Sequence, residues 1–164
     1  MLDLNAIKSN VSAILTAANT TTGSPIDLSL NMSRRVEKIT TLNPARIMQQ
    51  PSFYPYVSVF LGDKSIELLD ISVNQASAKR KSRVDLTIAA GTWNSLVIDD
   101  TRDQTDDDLE LLMENIELVL RSNDDFTNSV NWQLPISINY HSIPLGEDAH
   151  LRIGVMDFEM VNFY

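Results

Sequence analysis

The sequence predicts an α+β fold, a twisted and mostly antiparallel β-sheet of about five to six strands with two α-helices packed on one face. Three observations carry this expectation. Two amphipathic stretches at helical spacing lie far apart in the chain, alternating apolar stretches follow one another in hairpin-like order, and 164 residues at 43% apolar content are enough for one hydrophobic core. Residues 1–164 are therefore expected to form a single domain, with irregular excursions at about 33–55 and 92–105.

The first helix is expected over Asp3–Ala18, where Leu4, Ile7, Val11, Ile14 and Leu15 make one stripe and Asp3 can cap the start. Gly23 and Pro25 stop it. Ile26, Leu28, Leu30 and Met32 then alternate with polar residues and predict a short strand. The following stretch holds Pro44, Pro51 and Pro55, yet Val36, Ile39, Leu42, Ile47 and Met48 make it too apolar for disorder, so it reads as an ordered excursion. Tyr56–Leu61 is a β-branched and aromatic strand, and Ile66, Leu68, Ile71 and Val73 predict a second one after a Gly62-Asp63-Lys64 turn. In a third, Val84, Leu86 and Ile88 face one way and Arg83, Asp85 and Thr87 the other.

Thr92–Asp108 reads as a short strand followed by a long acidic loop. The second helix comes next, with Leu109, Leu112, Met113, Ile116, Val119 and Leu120 on one face. Thr105 can cap it, Asp106–Asp108 complement the positive end of its dipole, and Arg121 and Asn123 mark its end. Trp132, Leu134, Ile136, Ile138 and Tyr140 alternate as a strand, a turn falls near Pro144–Asp148, and Leu151, Ile153 and Val155 begin the return. The inward set then shifts to Met156, Phe158 and Met160, which predicts a β-bulge near Gly154.

Composition narrows function. No apolar run approaches the roughly 20 residues of a membrane span, and Met1–Asn10 lacks the basic start and apolar run of a secretory signal, so no membrane association is expected. The chain has no cysteine, which excludes disulfides, thiolate metal sites and cysteine nucleophiles. The net charge of −9 is unevenly spread: residues 1–91 carry ten Lys/Arg and seven Asp/Glu, and residues 92–164 carry three and fifteen. Opposite signs on the two halves point to a strongly polar molecule, or to a subunit whose basic patch meets a neighbour's acidic one.

No glycine-rich phosphate loop, nucleophile elbow, HExxH or nucleotide fingerprint is present, so neither an enzyme nor a cofactor is expected. A tight hairpin about Leu145 and Gly146 would set His141 opposite His150, with Glu147 or Asp148 nearby, but two imidazoles fall short of a metal's usual ligand count. The run Asp99–Asp108 lacks the glycine of a calcium loop and reads as a solvated loop. No metal site is expected.

The basic cluster Lys79, Arg80, Lys81 and Arg83 has four readings. As a nuclear signal it is a short motif with nothing to accompany it. As a nucleic-acid grip it lacks interleaved aromatics, in a molecule of net charge −9. As a solvated hairpin tip it needs no function, and as a contact it would face an acidic partner.

An N-terminal helix, then YPYVSVFLGDKSIELLD, a basic turn into RVDLTIAAG, the helix DDDLELLMENIELVLRSN and the terminal LRIGVMDFEMVNFY follow in order. This succession resembles the tail terminator or tail-completion proteins of tailed bacteriophages, with residues 20–52 and 92–105 matching least. Neck, connector and tube subunits share much of the same pattern. The resemblance implies a virion protein at the head-proximal end of the tail, assembled in the host cytoplasm as a hexameric ring. It further implies contacts with the tail tube protein and with neck or connector proteins, and DNA that passes through the channel without being bound. Within such a ring, Lys79, Arg80, Lys81 and Arg83 are expected to face Asp99, Asp100, Asp103, Asp106, Asp107 and Asp108 of the adjacent subunit. A nucleic-acid-binding module is the rival reading from another class.

Overall fold

The computed structural model describes residues 4–46, 51–68, 80–94, 99–123, 131–132, 137–144 and 150–163. The expected α+β architecture is present. Helix α1 (Leu4–Thr20) and helix α2 (Asp99–Arg121) share one core against a mixed sheet of β1 (Lys38–Thr40), β2 (Tyr56–Leu68), β3 (Arg80–Asn94), β4 (Asn131–Trp132), β5 (Ser137–Pro144) and β6 (His150–Phe163). The strand order is β1-β2-β3-β6, with β4 and β5 both lying along the far side of β6. All pairings are antiparallel except β1 with β2.

The pleat explains the core. Val57 and Val59 on β2, Val84, Leu86, Ile88 and Ala90 on β3, and Met156, Phe158 and Met160 on β6 lie on the helix side of the sheet. They meet Ile7, Val11, Leu15 and Ala18 of α1 and Leu109, Leu112, Met113, Ile116, Val119 and Leu120 of α2, the apolar stripes expected of both helices. Each of the larger side chains among them, Val, Leu, Ile, Met or Phe, contributes about 1.5–3 kcal/mol by leaving water.

Several expectations need correction. β2 does not turn at Gly62-Asp63-Lys64. The register jumps from Leu61↔Leu86 to Lys64↔Val84, so one extra residue is absorbed as a bulge and the strand continues to Leu68. Ile71 and Val73 lie outside the described residues. The bulge expected near Gly154 is absent, because β3 and β6 pair without a break from Lys81↔Phe163 to Asn94↔His150. The apparent change of face reflects burial on both sides: Leu151 and Ile153 belong to a second cluster on the helix-free side, with Tyr54 and Tyr56. Thr92–Asn94 complete β3 and α2 already begins at Asp99, so the described part of the expected acidic loop is helix.

Ile26–Met32 forms turns rather than a strand. Local polar groups capture the backbone there before a sheet can. Asp27 accepts from the Gly23 and Ser29 amides at 3.1 and 2.9 Å, and the Leu30 and Met32 amides reach the carbonyls of Asp27 and Ser29. Gly23, at φ 70° ahead of these turns, and Asn31, at φ 62° within them, are the left-handed residues of this stretch. Arg35 pairs with Asp27 at 3.1 Å and also donates to the carbonyls of Asn19 and Thr21, closing the C-terminal end of α1. Asn115 of α2 donates to the carbonyls of Leu28 and Leu30, so residues 21–36 form a strap pinned to both helices.

The strap carries a pH signature. Burial pushes the Asp27 carboxyl up, but the hydrogen bonds from Ser29, Arg35 and Gly23 outweigh it and hold the group below its ordinary 3.8. A depressed folded value means stability that is full above the unfolded pKa and lost as pH falls through the folded one. Asp27→Asn should therefore flatten the acid limb of the stability profile below about pH 4, read as melting temperature against pH. An unchanged acid limb would refute the role.

Candidate assembly surfaces

The basic and acidic clusters sit at opposite ends of the sheet. Arg80 and Lys81 are strand residues opposite Leu68 and Glu67 of β2, not a hairpin tip; Lys79 lies outside the described residues. Arg83 is half exposed on the helix-free side, and its Nε lies 2.8 Å from Glu159 of β6. Further along that side, Thr87 donates to Asp157 at 2.8 Å. At the other end, α2 sets out from Asp99 just after β3 finishes, and Asp106 lies 2.7 Å from Arg152, whose register partner is Thr92. Arg83 and Thr92 are about 30 Å apart along the extended strand. No side chain spans that gap, so the clusters can meet only between molecules.

The acidic candidates have separate roles. Asp99 and Asp100 occupy the first turn of α2, where carboxylates suit the dipole, and Asp103 the second. Asp106–Asp108 lie beyond those turns, contrary to the expectation that they start the helix. Asp106 is matched by Arg152. Asp108 is buried and receives both the Ser33 amide, at 2.8 Å, and the Ser33 hydroxyl. Asp107 points outward, followed along the same helix by the exposed Glu110 and Glu114.

No protein-family model matches the chain, and none of the curated proteins does. Among the described residues, no helix is long and apolar enough to cross a membrane. The histidine pair does not form. His141 is opposite Ile153 and His150 opposite Pro144, three positions from the expected register, which puts the two rings on opposite faces of the sheet. His150 instead contacts the Ser142 hydroxyl at 3.1 Å.

Sequence reasoning missed an aromatic cluster on the helix-free face. Tyr54 meets Tyr56 edge to face at 5.1 Å between centroids and Trp93 at 6.1 Å, over Leu151 and Ile153. Phe53 joins it, with the Lys38 ammonium 5.4 Å from its ring centre. Burial pushes the Tyr54 phenol up to about 12 and Tyr56 higher still. The available signal was alternation: Tyr56 and Gly91 are register partners, and Trp93 lies two residues beyond Gly91 on the same face.

Proposed function

We propose that the protein is a structural virion subunit of the tail-terminator type, a ring-former that caps the head-proximal end of a phage tail tube and joins tail to head. One observation carries the reading: the basic start of β3 and the acidic start of α2 lie at opposite ends of one sheet. In a closed ring, each subunit contacts its two neighbours through two different patches. Complementary charge at two separated positions suits that contact and steers it. α1, β2, β3, α2 and β6 follow one another in the order that the resemblance has, with β1, β4 and β5 between them.

The test is native mass of the full chain, alone and with a tail tube protein, for the parent and a Lys79→Glu, Arg80→Glu, Lys81→Glu variant. Arg83 is left intact because it is paired with Glu159 inside the subunit. The parent should form a closed oligomer that weakens with salt, and the variant should fall at least about tenfold in assembly affinity. A parent that stays monomeric and never engages a tube, or a variant that assembles with unchanged salt dependence, would sink the proposal.

A further inference from the structure

β5 closes one side of the sheet, and no described residue pairs with its outer edge. Sheets ordinarily blunt such an edge with charge, a bulge, proline or shortness. The opposite edge does so: β1 has three residues and includes Lys38. β5 has eight, reads SINYHSIP, is mostly exposed, carries no Lys, Arg, Asp or Glu, and places its proline only at the end beside the hairpin. Its backbone is a template for one more strand.

The surroundings select the occupant. Tyr140 is opposite Gly154 on the helix side, and Gly154 lies directly beneath Met113 of α2. Glu110 and Glu114, one turn apart on α2 and both exposed, lie near enough to Tyr140 for their charges to act on its phenol. Among the described residues, the other charges near β5 do not cancel them. Arg152 is matched by Asp106, His150 contacts Ser142, and the far face presents His141 together with Asp157, which is bonded to Thr87. A second copy pairing edge to edge through β5 would bring both sets of Glu110 and Glu114 onto one face, and like charges there are repulsive. A strand with cationic side chains at alternate positions would instead lie about 4.8 Å from β5, with its Lys or Arg beside Glu110, Glu114 and the exposed ring of Tyr140.

We propose that the outer edge of β5 is a docking site for an extended, basic segment of a partner protein, added as a further strand of the sheet. This holds whether or not the chain closes into a ring. The probe is the capped peptide KTKVKTK, titrated into the full-length protein by fluorescence anisotropy, with backbone amide exchange of Ser137–Ile143 followed in parallel. Two control peptides accompany it: ETEVETE, and KTKVKTK with alternate amides N-methylated. The basic peptide should bind and slow exchange along β5. Both controls should bind at least about tenfold more weakly, and Glu110→Gln with Glu114→Gln should reduce the preference for Lys over Glu by a similar factor. No binding of KTKVKTK at millimolar concentration, equal binding by the N-methylated form, unaltered exchange in β5, or an unaltered charge preference in the double variant would each overturn the proposal.

Discussion

Gly91→Ala is expected to destabilise the protein by about 3 kcal/mol, lowering the melting temperature by roughly 6–12 °C. A β-carbon at Gly91 would stand 2.9 Å from Cζ and 3.1 Å from Cδ1 of Tyr56, and closer still to Cε1. That ring is fully buried, wedged edge-on against Tyr54 in the cluster with Leu151 and Ile153. It is flat and stiff, so it yields only by leaving its rotamer or by pushing β2 from β3. Gly154→Ala supplies the comparison. Its β-carbon would meet Sδ and Cγ of Met113 at 2.8 and 2.9 Å, and an unbranched thioether can swing aside. That substitution should cost about 1 kcal/mol less than Gly91→Ala. Urea unfolding of both variants decides the matter: equal losses would mean that the rigidity of the Tyr56 ring is not the cause.

The same contrast shows what was readable in the residues. β3 was legible because its two faces differ in chemistry: Val84, Leu86 and Ile88 against Arg83, Asp85 and Thr87. α2 was legible because its stripe repeats over three turns. β6 was half legible. Its two faces are both buried, but at different ends, so Leu151 and Ile153 followed by Met156, Phe158 and Met160 imitate a bulge. β2 hid its bulge behind a Gly62-Asp63 pair that reads as a turn, and only pairing with β3 reveals that the strand continues. Residues 99–108 of α2 carry six acids and no apolar residue, so no stripe announces the start of the helix. Of the candidate surface, the clusters themselves were visible; their separation along β3, and the use of Arg83, Asp106 and Asp108 inside the subunit, depend on contacts between residues far apart in sequence.

Asp108 provides the second large expected effect: Asp108→Ala should cost about 3 kcal/mol, whereas Asp107→Ala, one residue earlier and exposed, should stay within about 0.5 kcal/mol. The helix dipole cannot account for such a difference, since its influence fades within the first turn and α2 begins at Asp99. The carboxylate acts on the strap. It holds the Ser33 amide and hydroxyl, while Asn115, two turns on, holds the carbonyls of Leu28 and Leu30. Together they keep Leu28 and Val36 sealed over the helices. Losing the charged acceptor leaves an amide with no partner and frees one end of the strap. The cost should therefore appear first as local opening, with amide exchange rising over residues 28–36 before global unfolding changes. Ser33→Ala removes only the hydroxyl bond and should cost about half as much, and the pair of substitutions together should cost less than their sum. Strict additivity, or exchange that rises uniformly along β3 and β6 instead of in the strap, would show that Asp108 stabilises the fold in some other way.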